Sequence, residues 1–349
     1  MRTGAPSQTK REIGIAILVF SVTFSALSFF NYHNPAVSWP ALMKGLLWPL
    51  MRLMVLIAIG LLVGNIIEGL GWVTRIASLS RPMMRFGHMC DYSGAAFTTA
   101  FFSGVAANTM LLSYYKEKKI TKKELFLSNF INGLPAYFLH LPTTFFIILP
   151  LTGVAGALYL FLTFLATLFR TLCYLLYGRF FLSPTQCTAT LTLPSKKSWT
   201  DVWNNIRQEL PGRFLKIAVY VIPIFVCVFI VNQLGFFQWL RQSTASLITS
   251  QIMPVEAVSV VIFSLAAEFT SGFAAAGALL QAGALTVKQT VLALLIGNII
   301  SFPVRALRHQ LPRYVGIFSP KLGTQMLLIG QGFRILSIFL VALLYLFLG

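Results

Sequence analysis

Two short stretches decide the fold of this chain: Phe102-Ser103-Gly104-Val105-Ala106-Ala107 and Thr270-Ser271-Gly272-Phe273-Ala274-Ala275. Each has a Ser-Gly pair followed by alanines, inside an apolar segment rich in Gly, Ala, Ser and Thr. The two segments are Tyr92–Ser113 and Val255–Ala282. Small residues at this density allow helices to approach closely. The two stretches therefore predict a helical element that occurs twice.

Further matches between the two halves of the chain follow the same order and nearly constant spacing. They are Leu70-Gly71-Trp72 with Leu234-Gly235-Phe236, Thr121 with Thr286, and Phe169-Arg170-Thr171-Leu172 with Phe333-Arg334-Ile335-Leu336. Several matches in register indicate an internal duplication. We expect an N-terminal helix and loop at 1–40, a first repeat at 41–178, a polar linker at 179–211, and a second repeat at 212–349.

The composition indicates an integral membrane protein. Of 349 residues, 57% are hydrophobic and only 10% are charged, and the mean hydropathy is +0.78. A soluble domain usually has about 25% charged residues. One membrane crossing needs about 20 apolar residues in a helix. Seven segments meet that requirement: Ile13–Phe30, Ala41–Gly64, Lys123–Ile148, Gly153–Gly178, Arg213–Gly235, Thr286–Pro303 and Leu322–Phe347.

The Ser-Gly segments are better explained as re-entrant hairpins than as crossings. Each arm of Tyr92–Ser113 has about 10 residues, or about 15 Å of helix, which reaches the midplane of the bilayer. Each repeat then has three crossings, so the second repeat is inverted relative to the first. Two amphipathic segments, Ile66–Phe86 and Phe236–Met253, precede the hairpins and are typical of helices at the membrane interface.

Charge supports this topology and gives its orientation. The chain has 27 Lys and Arg against 9 Asp and Glu, a net charge of +18. With the N-terminus inside, most of these basic residues fall on the cytoplasmic side, as the positive-inside rule requires. The basic excess therefore records orientation in the cytoplasmic membrane, and no nucleic-acid partner is needed. The predicted fold class is an all-α integral membrane protein with about seven transmembrane helices and two re-entrant helical hairpins in two inverted-topology repeats.

The broken hairpins are the first candidates for a binding site. Irregular backbone at membrane depth is tolerated only where it is enclosed by protein or lines a cavity. In transporters, broken helices at that depth direct their ends toward the bound solute. Ser103, Gly104, Ser271 and Gly272 are the residues at these breaks. The alternative is that these small residues serve only close helix packing.

Intramembrane charges and amides are the second group of candidates. Glu268 lies in an apolar run, where a carboxylate is costly and indicates function; a structural ion pair with Arg334 or Arg52 is the alternative. Arg334 suits an anionic substrate or a carboxylate partner, whereas Arg170 lies near a helix end from which it can reach the interface. Asn108 can bond a solute or another helix.

The sequence contains no motif for enzymatic, metal-binding or nucleotide-binding chemistry. The four cysteines (Cys90, Cys173, Cys187 and Cys227) form no Cys-x-x-Cys pair, and no nucleotide-binding motif occurs. No nucleophile–base pair or metal cluster is evident. We therefore expect neither an enzyme, nor a metal, nor a cofactor.

Several features together resemble the Gate, or nucleoside-recognition, domain family. They are the Ser-Gly hairpins, the amphipathic segment before the first hairpin, Thr121 at the start of the next helix, and the run Arg308-His309-Gln310-Leu311-Pro312. The resemblance spans about Ala41 to Gly349. That domain also occurs in concentrative nucleoside transporters and in the membrane part of ferrous-iron transporters. The resemblance implies two inverted repeats with a midplane site between hairpin tips, and Glu268 is similar to the acidic residue of the nucleoside transporters.

The resulting functional expectation is a permease. It would move a small polar solute, nucleoside-like or an organic anion, by alternating access, with protons or sodium as candidate coupling ions. The alternative is a membrane interaction or assembly protein that uses the same scaffold with a partner subunit and transports nothing. Expected partners are the solute or ion, membrane lipid, and either further copies of the chain or a second membrane subunit.

Overall fold

The computed structural model describes residues 6–33, 39–69, 80–183, 199–235, 254–266 and 269–348. These residues are helical almost throughout, and no β-strand occurs among them. The α-helices, numbered in chain order, are α1 Pro6–His33, α2 Trp39–Leu42, α3 Trp48–Gly69, α4 Ser80–Phe86, α5 Asp91–Ala100, α6 Gly104–Lys116, α7 Lys122–Ile131, α8 Gly133–Thr152, α9 Val154–Phe181, α10 Trp199–Gln233, α11 Glu256–Ala266, α12 Phe269–Gln281, α13 Val287–Arg305, α14 Leu311–Phe318 and α15 Pro320–Leu348. Two π-helical turns, Met43–Leu47 and Ala306–Gln310, precede α3 and α14.

Among the described residues, six helices are long and apolar enough to cross a membrane. They are Ile13–His33, Lys122–Thr152, Val154–Phe181, Ile206–Val231, Val287–Arg305 and Pro320–Leu348. Each overlaps one of the seven predicted crossings, and the 22-residue α3 occupies the remaining one. The described residues confirm the all-α class, and their long apolar helices fit a multi-pass membrane protein.

The first predicted Ser-Gly segment folds as two helices joined by a short break, and the second has two helices on either side of residues 267–268, which lie outside the described residues. In the first, α5 and α6 contact each other and are separated only by residues 101–103. In the second, α11 and α12 contact each other in the same way. A helix–break–helix pair, rather than one straight helix, is what the small residues predict.

The same local geometry ends each pair. After α6, Lys118 adopts a left-handed backbone (φ 58°), and after α12 Gly283 does so (φ 68°). The amide of Lys119 donates to Tyr114 O and that of Ala284 to Leu279 O, both at 2.9 Å. This is the usual way of ending a helix.

The next helix then begins at a threonine cap in both halves. The hydroxyl of Thr121 accepts from the amide of Glu124 (3.2 Å), and that of Thr286 accepts from the amide of Gln289 (3.3 Å). A third correspondence lies further on, where Gly153 (φ 56°) precedes α9 and Ser319 (φ 101°) precedes α15. The two halves of the chain therefore repeat helix ends and caps at matched positions, as a duplication predicts.

The described chain forms two compact units. The first unit comprises Met1–Leu62, Phe146–Ala157 and Asn205–Asn298, and the second comprises Val63–Phe145, Leu158–Asn204 and Ile299–Gly349. Each unit contains one helix–break–helix pair. Three sequence segments build each unit, so each draws on both halves of the chain.

In the second unit, the α5–α6 hairpin packs against two buried hydrophobic clusters. Residues from α4, α5, α7, α8 and α9 form one buried cluster: Met84, Met89, Phe97, Phe101, Leu127, Ile131, Leu134 and Leu175. Residues from α5 to α7, α14 and α15 form another: Cys90, Ala96, Leu111, Ile120, Leu125, Phe318 and Met326. Neighbouring residues of α5 enter different clusters, so this helix is packed on both sides and fixes the position of the break at its end.

Two sequence predictions fall partly or wholly outside the described residues. The interfacial segment Phe236–Met253 lies outside them, and of Ile66–Phe86 they include only the end of α3 and the short α4. Within the predicted polar linker 179–211, helix α10 begins at Trp199.

Candidate functional site

The hairpin of the second unit is built around a serine cap. Ser103 has an extended backbone (φ −158°, ψ 109°), and its hydroxyl accepts from the amide of Ala106 at 3.2 Å. Serine is among the best residues for starting a helix because it satisfies a free backbone N–H. At the opposite end of the hairpin, the rings of Tyr92 and Tyr114 lie 4.8 Å apart. The two helices therefore run antiparallel, with Ser103 at the tip.

The tip is open. A Cβ atom added to Gly104 would meet no atom within 4 Å, and Ser103 is half-buried. Gly104 is therefore not a close-packing glycine. Of the residues that the sequence proposes for the site, Ser103 and Gly104 border free space within this unit.

A chain of amides and a phenol connects this hairpin to its neighbours. The Asn129 Nδ2 donates to Asn108 Oδ1 at 2.8 Å, and the Tyr314 hydroxyl donates to Asn129 Oδ1 at 3.2 Å. Burial raises the pKa of the Tyr314 phenol, against the lowering effect of its hydrogen bonds to Asn129 and Asn108. The phenol therefore keeps its proton and acts as a donor. These hydrogen bonds join helices α6, α7 and α14.

Asn132 lies one helical turn beyond Asn129, where α7 ends. Its side chain is buried, and both its Nδ2 and its Oδ1 lack a hydrogen-bond partner. Helix α6 runs antiparallel to α7 with Asn108 opposite Asn129, so a residue one turn later in α7 lies at the level of the hairpin tip. An amide that could make several hydrogen bonds therefore lies at about the level of the hairpin tip along the α6 axis, without a hydrogen-bond partner.

Glu124 is a buried carboxylate that the sequence argument missed. Its Oε1 accepts from the amide of Cys90 (2.8 Å) and from the hydroxyl of Ser93 (2.6 Å), at the start of α5. A negative group is stabilised at a helix N-terminus. The pattern Thr121-x-x-Glu124 is a capping-box signature and could have indicated a carboxylate at a helix start. The bonds join α7 to the base of the hairpin and give Glu124 a structural role.

The hairpin of the first unit is packed instead of open. Ser271 and Gly272 lie inside α12 and not at a break, unlike Ser103. Ser271 is fully buried, and a Cβ added to Gly272 would overlap the hydroxyl of Ser264. A Cβ on Gly277 would overlap the carbonyl oxygen of Leu151. The hydroxyls of Thr270 and Ser271 are buried without a hydrogen-bond partner. Close packing, the alternative stated for these small residues, describes Gly272.

Glu268, the favoured carboxylate, lies outside the described residues. Arg52, one of its two suggested partners, is exposed on α3. The other suggested partner, Arg334, belongs to the second unit, where it lies near Arg170.

Ser337 links the side chain of Arg170 to the backbone of Arg334, and both arginines belong to the second unit. Arg170 Nη1 donates to the hydroxyl of Ser337 at 2.7 Å, and its Nη2 donates to the hydroxyl of Thr167 at 2.9 Å. The Ser337 hydroxyl donates to the backbone oxygen of Arg334 at 2.8 Å. Arg170 therefore extends toward α15 and does not reach for the interface. The Arg334 guanidinium carbon lies 3.2 Å from the centre of the Phe302 ring.

The residue types that bind metals are not clustered in the part of the chain that the structure describes. No group of three or more His, Cys, Asp or Glu there could hold a metal ion. The ion pair found among the same residues joins Lys119 to Glu117, in the turn after α6. The hydrogen bond from Lys119, followed by that from Ser113, lowers the pKa of Glu117.

Comparison with known proteins finds relatives that align with most of this chain. Three are proteins of Methanocaldococcus jannaschii whose printed names are uncharacterized protein MJ1556, MJ0871 and MJ0880. The first is 27% identical over 287 residues, covering 80% of this chain and 89% of that protein. The second is 23% identical over 304 residues (84% and 92%), and the third 26% over 281 residues (77% and 88%). No protein-family model and no solved structure matches the chain.

Proposed function

We propose that this protein is a membrane permease that moves a small polar solute by alternating access. The solute would bind at the tip of the α5–α6 hairpin, between Ser103 and the amides of Asn108, Asn129 and Asn132. The single observation that carries the proposal is the Asn132 amide, which is buried without a hydrogen-bond partner. The open tip at Gly104 would give the solute space, and Asn132, at about the same level along the helix axis, would give it a hydrogen-bonding partner.

The energetic argument is that a buried unsatisfied amide destabilises the fold. Leaving such a group without a partner costs about 1–3 kcal/mol. A polar solute with a hydroxyl or amide group removes that cost when it binds. The neighbouring chain Asn108–Asn129–Tyr314 is already hydrogen-bonded, so it holds the wall of the site in place while Asn132 supplies the free groups.

The finer topology belongs to the same proposal. We take both helix–break–helix pairs as re-entrant hairpins, the two repeats as inverted, and the N-terminus as cytoplasmic in the cell membrane. The repeated caps and turns support duplication, and an odd number of crossings per repeat would invert the second copy. Transporters built on inverted repeats bind their solutes at discontinuous helices near the midplane. The resemblance to the Gate family points the same way.

The test replaces Asn132 by leucine, which has a similar volume and no polar atoms. We expect Asn132→Leu to fold at least as stably as the wild type, because an unsatisfied amide is removed. We expect uptake into proteoliposomes, screened with nucleosides, small carboxylates and inorganic phosphate, to fall about tenfold or more. Asn204→Leu, at an exposed amide on α10, is the matched control and should leave uptake unchanged.

Two results would contradict the proposal. Uptake by Asn132→Leu at the wild-type rate would show that Asn132 does not bind the solute. If no solute in the screen is taken up by the wild-type protein and none raises its melting temperature, the permease proposal fails and the interaction protein becomes the better account.

A further inference from the structure

We propose that Arg170 and Arg334 form a binding site for a small soluble oxyanion, a carboxylate or a phosphate group, and that this group belongs to the transported solute. The assignment of the anion to the solute rests on the proposed permease function. The binding of an anion by the two arginines does not, because it follows from the charges and contacts of the second unit alone.

The first argument is depth in the membrane. Arg334 lies at the centre of α15, a helix of 29 residues, and so about 20 Å from either helix end. Arg170 lies well inside α9, a helix of 28 residues. A charged side chain at such depth is costly unless it meets a partner or lines a water-filled path. Two of them near one serine make the cost larger.

The second argument is that no carboxylate neutralises the pair within the described residues. The ion pair found there, Lys119–Glu117, involves neither arginine. Arg170 is bonded to two hydroxyls, of Ser337 and Thr167, which carry no charge. Arg170 and Arg334 carry the same charge, and Ser337 joins the Arg170 guanidinium to the backbone oxygen of Arg334. An anion between them would supply the missing negative charge.

The third argument is geometric. The Arg334 guanidinium lies over the face of the Phe302 ring, so its donors point outward in its own plane. Its Nε is buried without a hydrogen-bond partner. A planar fork of N–H donors matches the oxygens of a carboxylate or phosphate. Ser337 keeps the Arg170 guanidinium against α15, next to Arg334.

Depth also favours a soluble anion over a lipid headgroup. The hydrocarbon core is about 30 Å thick, so headgroup phosphates lie about 15 Å or more from the midplane. A guanidinium at the centre of a 29-residue helix is far from them. A solute that enters by an aqueous path can reach that depth.

An aromatic layer links this pair to the amide site. The rings of Tyr174 and Phe333 lie 5.2 Å apart, and those of Phe130 and Tyr174 also 5.2 Å apart. Phe333 precedes Arg334 in the chain, and Phe130 follows Asn129. Three rings therefore run from a sequence neighbour of Asn129 to a sequence neighbour of Arg334 within the second unit.

The experiment measures anion binding by the purified full-length protein at constant ionic strength. The probes are inorganic phosphate and succinate, with uridine as the neutral comparison. We expect phosphate or succinate to bind and to raise the melting temperature. Arg334→Gln should weaken that binding about 10- to 100-fold, as the loss of a charge-assisted hydrogen bond implies. Arg179→Gln removes the same charge near the end of α9, away from the pair, and should leave binding unchanged.

Further arms keep the test decisive. If Arg334→Gln does not fold, Arg170→Lys and Ser337→Ala replace it. Each should weaken anion binding several-fold, because Arg170→Lys removes the planar set of N–H donors and Ser337→Ala removes the hydroxyl that holds the Arg170 guanidinium in place. In nanodiscs, phosphatidylglycerol should not reproduce the Arg334-dependent stabilisation. If it does while phosphate and succinate fail, the soluble-anion proposal is overturned in favour of a lipid site.

The outcomes also separate this proposal from the permease itself. Anion binding that depends on Arg334, without uptake of any anion, supports the site and overturns the assignment of the anion to the transported solute. Uptake of uridine that depends on Asn132, with no anion bound, supports the permease and overturns the anion site.

Discussion

The two Ser-Gly hairpins share a sequence pattern and differ in what surrounds their glycines. In the second unit, a Cβ on Gly104 meets no atom within 4 Å. In the first unit, a Cβ on Gly272 meets the Ser264 hydroxyl and one on Gly277 meets the Leu151 carbonyl. The same small residues therefore leave space in one hairpin and remove it in the other. A Ser-Gly pair alone does not distinguish a binding tip from a packing contact.

The largest expected difference comes from alanine at these glycines. Gly277→Ala should lower the free energy of unfolding by about 2–3 kcal/mol, because its Cβ overlaps a backbone oxygen that cannot turn away. Gly104→Ala should stay within about 0.5 kcal/mol of the wild type. Denaturant titration of both variants in detergent measures the difference. Equal losses would show that the α5–α6 tip is packed as well.

The second expected difference concerns the helix after each hairpin. Glu124 reaches across to Cys90 and Ser93, whereas the Gln289 Oε1 accepts a local bond from the amide of Thr286 at 3.0 Å. Glu124→Gln should cost about 2 kcal/mol, because two charge-assisted bonds are weakened. Gln289→Glu should change stability by less than about 0.5 kcal/mol. Chemical denaturation of both variants measures the two changes in the free energy of unfolding. If Glu124→Gln leaves that free energy unchanged, the carboxylate does not anchor α7 to the start of α5.

The smallest expected difference concerns the turn after each hairpin, where the signs should be opposite. Lys118 (φ 58°) and Gly283 (φ 68°) occupy matched positions. A left-handed backbone is strained for lysine and free for glycine. Lys118→Gly should stabilise the protein by about 0.5–1 kcal/mol and Gly283→Ala should destabilise it by about 1 kcal/mol. Melting temperatures of the two variants report the signs, and shifts of the same sign would argue against equivalent turns.

Sequence patterns predict the helical framework well because hydrophobic length and small-residue breaks are local properties. The crossings, the two helix–break–helix pairs and the matched Thr121 and Thr286 caps depend on residues near each other in the chain. Ser103 and Gly104, which lie at the open tip, are among the residues that the sequence proposes for the binding site.

The rest of the candidate site depends on contacts between distant segments. Asn129 meets Tyr314, and Arg170 meets Ser337, so each contact joins the first half of the chain to the second. No local pattern distinguishes Asn129 and Asn132 from amides that face lipid or a neighbouring helix. The direction of Arg170 toward α15 likewise depends on a partner that only tertiary packing provides.

Cysteine labelling tests the central claim most directly, which is that solute reaches the α5–α6 tip and not the packed α11–α12 pair. Ser103→Cys and Ser271→Cys are compared in a chain whose native cysteines are replaced, reconstituted in liposomes and treated with a membrane-impermeant maleimide. The account predicts that Ser103→Cys is labelled at least about tenfold faster, and that solutes which stabilise the protein slow this labelling. Ser271 is fully buried in the wild-type packing, so Ser271→Cys should resist the reagent. Faster labelling of Ser271→Cys, with no solute protection at Ser103→Cys, would contradict the account.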